Sequence, residues 1–128
     1  MFNTYLINMN GEVVQEWDLP NDVGNYAYLL ENGNLLAAIR TEEGPQGLPA
    51  KGGHLIEMDW DGNIVWEHID HAQHHDFRRR SDGNTVYIGW ELLDEDDNVI
   101  KRGYGVGSQW WLKYIPNFFK LGIKLTHN

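Results

Sequence analysis

Short apolar and β-branched runs alternate with polar positions along most of this chain, and Asn-Gly or Asp-Gly pairs break them at intervals. The period is two rather than 3.6, which predicts strands and not helices. Strands are expected at roughly 4–9, 12–18, 25–31, 34–40, 54–59, 63–68, 75–80 and 84–91, with a weaker one near 98–102. Asn10-Gly11, Asn32-Gly33, Asp61-Gly62 and Asp82-Gly83 then mark four hairpins, each read as a tight turn with positive φ at both central residues. Glu42 to Pro49, rich in Gly and Pro, reads as a loop joining two hairpins.

The hairpins repeat. "LINMNGEVVQEW" (6–17) lies over "IEMDWDGNIVWEH" (56–68), and "YLLENGNLLAAIR" (28–40) over "RRRSDGNTVYIGW" (78–90). Gly11 falls on Gly62 and Gly33 on Gly83, a period of about 50 residues, the length of a propeller blade. The expected fold class is therefore all-β, a β-propeller-type repeat of four-stranded antiparallel blades. About two and a half blades are present: an outer half blade in 1–22, a full blade in 23–69 and the inner part of the next in 74–103. Closed propellers hold four to eight blades, so further blades or self-association would have to complete the ring.

Composition narrows the classes. At 128 residues and 41% hydrophobic, the chain can bury one modest core. No apolar run reaches the ~18 residues of a transmembrane span, and the first residues lack the pattern of a signal peptide, leaving localisation open. Cysteine is absent, which removes disulfides, thiolate metal sites and thiol nucleophiles. Positions 1–101 carry all 19 acidic residues against 6 Lys and Arg, a net of −13, whereas 102–128 carry +4. The overall −9 argues against nucleic-acid binding. The segment 104–128 loses the repeat and gains aromatics and lysines. It reads as an amphipathic membrane-surface segment, a partner-docking strand or a divergent end, and the divergent end is preferred because Pro116 interrupts any helix across it.

Chemistry concentrates in "HAQHHDFRRR", 71–80, which is an anion site, a metal site or a polar strand end. At period two, His74, Asp76 and Arg78 would face one side and His75, Phe77 and Arg79 the other. A metal set of His68, His71 and His75 would need a helix there; the repeat puts a strand end and a loop instead, so no metal is assigned. Asp94 to Asn98 lacks the Gly and terminal Glu of an EF-hand loop. His54 after Gly52-Gly53 is either a channel residue or a turn-end histidine bonded to backbone, and Arg40 either reaches an anion or pairs with Glu42. Trp17, Trp60, Trp66 and Trp90 read as fillers between sheets.

"GGHLIEMDWDGNIVWEH", with "HHDFRRRSDGNTVYIGWE" after it and "YLINMNGEVVQEWDL" and "GNYAYLLENGNLLAA" before it, resembles the arylsulfotransferase (aryl-sulfate sulfotransferase) family of repeat propellers over about residues 4–91. The resemblance implies a six-bladed propeller whose central channel hosts transfer of a sulfuryl group from an aryl sulfate to a phenol through a transiently sulfated histidine. It implies no cofactor and no nucleotide sulfate donor, and family enzymes are typically exported. On that chemistry His75 or His74 would be nucleophile or acid/base, Asp76 would orient it, and Arg78 or Arg79 would clamp the sulfate, with His54 and Arg40 as further binding residues. The alternative is a non-catalytic repeat module that binds a protein partner through its sheet edges or tail.

Overall fold

In the computed structural model, residues 2–43, 51–93, 99–101, 109–110 and 119–126 are described. The described structure is all-β, with antiparallel sheets and no helix. Its strands are β1 (Phe2–Ile7), β2 (Val13–Leu19), β3 (Val23–Leu29), β4 (Leu35–Arg40), β5 (Gly53–Met58), β6 (Ile64–Ile69), β7 (Gln73–Arg79), β8 (Thr85–Leu93), β9 (Val99–Lys101), β10 (Gln109–Trp110) and β11 (Phe119–Leu125). Among the described residues no helix is long and apolar enough to cross a membrane.

Three sheets result: the hairpin β1-β2, the meander β3-β4-β5-β6, and β7-β8-β11-β10 with β9 also on β8. The middle sheet is packed on both faces, which is why β4 reads as the unbroken apolar run "LLAAI" and not as an alternation. Leu35, Ala37, Ile39, Ile56 and Met58 pack against Trp17 and Leu19 of β2. Leu36, Ala38 and Leu55, on the other face, meet Phe77 of β7 and Tyr87 of β8.

The repeat is reproduced in hydrogen bonds. Phe2↔Leu19 through Leu6↔Gln15, with a bulge before Ile7↔Val13, matches the β5-β6 pairing, in which a bulge separates Glu57↔Trp66 from Met58↔Ile64. Val23↔Ile39 and Ala27↔Ala37 of β3-β4 match Gln73↔Gly89 and Phe77↔Tyr87 of β7-β8.

The four turns differ from the two-residue form that Asn-Gly and Asp-Gly suggest. Only the glycines have positive φ, from 81° to 86°. In each turn the Gly N–H returns to the carbonyl three residues back, and that residue's own N–H donates one residue beyond the Gly, as in Gly11 to Asn8 (3.0 Å) and Asn8 to Glu12 (2.9 Å). This is a three-residue loop, a type I turn closed by a left-handed glycine. Side chains select it: Asn8 Oδ1 accepts from the N–H of Asn10 and Glu12, and Asp59 Oδ1 from Asp61 and Asn63, holding the residue before the glycine in a right-handed conformation.

Of the tail, residues 119–125 form a strand that pairs with β8 from Phe119↔Leu92 to Leu125↔Val86. That strand lies within the 104–128 segment read as a divergent end. The loop residues 44–50, Asp94 to Asn98 and the tail segments 102–108 and 111–118 lie outside the described residues.

Candidate functional site

Strand β7 departs from simple alternation where the histidines stand. Four steps from Gln73 to Phe77 face two steps from Gly89 to Tyr87, so His74, His75 and Asp76 form a bulge of three residues opposite Ile88. The two-sided expectation fails there: His74 is buried (6% exposed), while His75 and Asp76 are both exposed and Phe77 is again core. His75 is the one non-glycine with positive φ among the described residues, at 51°. A left-handed histidine costs about 1 kcal/mol, so its neighbours must hold it in place.

Gln73 supplies that hold. Its buried side chain accepts the Gly53 N–H through Oε1 (3.1 Å) and donates to the His75 carbonyl through Nε2 (3.4 Å). Gly52 makes room for it, because a Cβ there would stand 1.7 Å from Gln73 Oε1. The Gly-Gly before His54 thus serves β7 more than it serves His54.

The two imidazoles meet nearly at right angles (76°, centroids 4.1 Å apart), with His75 Nδ1 3.0 Å from both nitrogens of His74. His74 also packs edge-on against Trp90 at 4.7 Å. Burial, reinforced by the neighbouring His75, lowers the His74 pKa to about 4, so its ring is neutral at pH 7. A neutral His74 can accept the Nδ1–H of His75, leaving His75 Nε2 as the open lone pair.

Asp76 is engaged elsewhere. It accepts the hydroxyl proton of Tyr26 and lies 3.7 Å from Arg78 Nη1. Tyr26 is a hub that the sequence reading did not single out, although the 50-residue offset places it on Asp76. Its hydroxyl accepts from Arg78 Nη1 (2.6 Å) and from the Phe77 N–H (3.2 Å), and its ring stacks on Phe77 at 4.7 Å. Burial and the Asp76 contact raise the Tyr26 pKa, which keeps the phenol protonated. Arg78 lies over the rings of Tyr26 and Tyr28, 5.4 and 5.2 Å from their centroids, and remains largely exposed. A small apolar pocket of about 190 Å³ adjoins Asp76 and Arg78, with Val86 and Ile88 in its wall.

The other candidates scatter. Arg79 is locked between sheets: Nη2 meets Glu57 Oε2 at 2.8 Å, Nη1 donates to the Gly83 carbonyl at 2.8 Å, and the guanidinium covers Trp66 at 4.2 Å. It lines an open groove of about 570 Å³ beside the Leu30 and Arg80 turns, at the opposite end of β7 from the histidines. His54 pairs with Glu67 (2.8 Å), not with backbone, and alternates with Leu55, so it belongs to the face turned towards β1-β2 and away from His75. Arg40 is exposed and has no ion pair among the described residues, Glu42 included. Its backbone is near the bulge: Arg40 pairs with Gly53, Gly52 donates to the Gln73 carbonyl, and Lys51 bridges His74.

His68, His71 and His75 have separate partners: the Tyr87 hydroxyl at 3.0 Å, Thr41 Oγ1 at 3.0 Å, and His74. Trp17 and Trp90 are buried, whereas Trp60 is half exposed in a turn and meets Trp17 edge-on at 5.7 Å. No protein-family model, curated protein or solved structure matches the chain.

Proposed function

We propose that the chain is part of a β-propeller-type arylsulfotransferase-like protein, with His75 as the residue that takes up the sulfuryl group. The observation that carries the reading is the His74–His75 pair on a bulge. A buried neutral imidazole orients an exposed one, with Arg78 three residues beyond His75 on the same strand. The β3-β4-β5-β6 meander, packed between the β1-β2 hairpin and the β7-β8 hairpin with pairing registers that recur after about 50 residues, is what adjacent blades would require.

In this reaction the Nε2 lone pair of His75 attacks the sulfur of an aryl sulfate. The S–O bond to the ring breaks as an N–S bond forms, and the leaving group departs into solvent as the phenolate. His74 accepts the Nδ1–H of His75 as positive charge develops on that ring. Arg78, with guanidinium N–H groups beyond those given to Tyr26 and Phe77, is suited to the equatorial oxygens, and the pocket against Val86 and Ile88 to the aryl ring. A phenolic acceptor then loses its proton to solvent and attacks the same sulfur, forming a new S–O bond as the N–S bond breaks and frees His75. Asp76, expected as the orienting carboxylate, acts in this scheme through Tyr26 and Arg78.

The test is release of coloured phenolate from 4-nitrophenyl sulfate. Release that is lost in His75→Ala and slowed in Arg78→Ala supports the reading; equal release from all three proteins, or none from any, contradicts it.

A further inference from the structure

The hairpin β1-β2 is the twin of β5-β6, with the same pairing and the same bulge 51 residues earlier. The surroundings differ in one respect. The edge of β5 away from β6 holds β4, whereas the matching edge of β1 holds no strand among the described residues. An unpaired edge leaves a row of backbone donors and acceptors without ladder partners. Exposed apolar side chains, Tyr5, Ile7, Val13 and Val14, accompany it.

The repeat specifies what fits there. The twin of β4 is β8, 50 residues later, and β4 pairs with β5 from Leu35↔Met58 to Arg40↔Gly53. Carried over by the two offsets, that register sets Thr85 opposite Ile7, Tyr87 opposite Tyr5, Ile88 opposite Thr4 and Trp90 opposite Phe2. Yet the corresponding edge of β8 already holds β11, across Val86 to Leu92.

We propose that this β8 edge has two competing occupants: the chain's own β11, which caps it, and β1 of a second copy of the chain, which replaces β11 in the register just given. The β1-β2 hairpin of the second copy would complete the sheet begun by β7-β8, as β5-β6 completes β3-β4. Each copy gives one edge and receives another, so the association is head to tail and extends beyond a dimer into a ring or a filament. The inference rests on the pairing registers and stands apart from the sulfuryl chemistry, whose test is phenolate release.

The absence of cysteine makes the register directly readable. Thr4→Cys chains mixed with Ile88→Cys chains and mildly oxidised can form a mixed disulfide only between copies. Cross-strand partners lie within disulfide reach, and a position three residues away does not. The proposal expects several-fold more mixed disulfide from Thr4/Ile88 than from Ile7/Ile88. It also expects that yield to rise when Ile123→Pro, which breaks β11 in the sheet interior, is added to the Ile88→Cys chain. Equal yields from the two pairs, no mixed disulfide, or a yield that Ile123→Pro leaves unchanged or lowers would overturn it.

Discussion

Replacing His74 by Gln tests whether this ring is held neutral. In the fold its pKa falls to about 4 against 6.5 for a free histidine, chiefly through burial. A depressed histidine adds nothing to the pH dependence above about pH 6.5, where both states are neutral. As pH drops below that, the unfolded chain gains a proton that the fold refuses, and stability declines until about pH 4, below which both forms are charged. The full shift corresponds to about 3 kcal/mol, and partial solvent access to the bulge reduces this to about 2. Urea unfolding of wild type and His74→Gln at about pH 7 and about pH 4.5 measures it, with carboxylate titrations common to both proteins cancelling in the difference. Wild type should lose about 2 kcal/mol more than the variant on acidification. Parallel losses would refute a neutral His74, and with it the orienting role.

Two further substitutions probe what fixes the bulge and the sheet-to-sheet contact. Glu57→Gln leaves the Arg79 guanidinium, 12% exposed, without its carboxylate and should cost about 3 kcal/mol, whereas Glu57→Gln with Arg79→Met should recover most of that loss, both read from urea midpoints. Gly52→Ala drives a methyl into Gln73 Oε1 and should cost about 1–3 kcal/mol. Because both changes remove the same bonds to Gly53 and His75, Gly52→Ala combined with Gln73→Ala should cost no more than the worse single change.

Element positions were largely legible because period two and the turn pairs act locally: β2, β4, β5 and β6 start and end within about a residue of expectation. The turn type was not, since Asn-Gly is compatible with both hairpin forms and the choice falls to side-chain caps, Asn8 and Asp59 three residues before the glycine and Asn32 and Asp82 next to it. The bulge at 74–76 was hidden for a related reason. It recurs at Gly24 to Tyr26, so aligning the repeats shows no insertion, and alternation across it puts His75 and Asp76 on opposite sides when both are exposed. The histidine pair and Arg78 were readable as a local cluster. Tyr26 and Gln73 act across 50 and 20 residues of sequence through contacts that only the packed sheets create. Arg79 looked like a ligand residue from its charge, but its contact with Glu57 depends on how β7 packs on the middle sheet.

The central claim is that His75, oriented by a neutral His74, can accept a sulfuryl group. Its most direct test is the intact mass of the protein after brief exposure to an aryl sulfate, with peptide fragmentation across residues 71–80. The account predicts one added sulfuryl group located on His75, absent from His75→Ala and diminished in His74→Gln. An unmodified mass from folded protein in excess donor, or a sulfuryl group found on another residue, would contradict it.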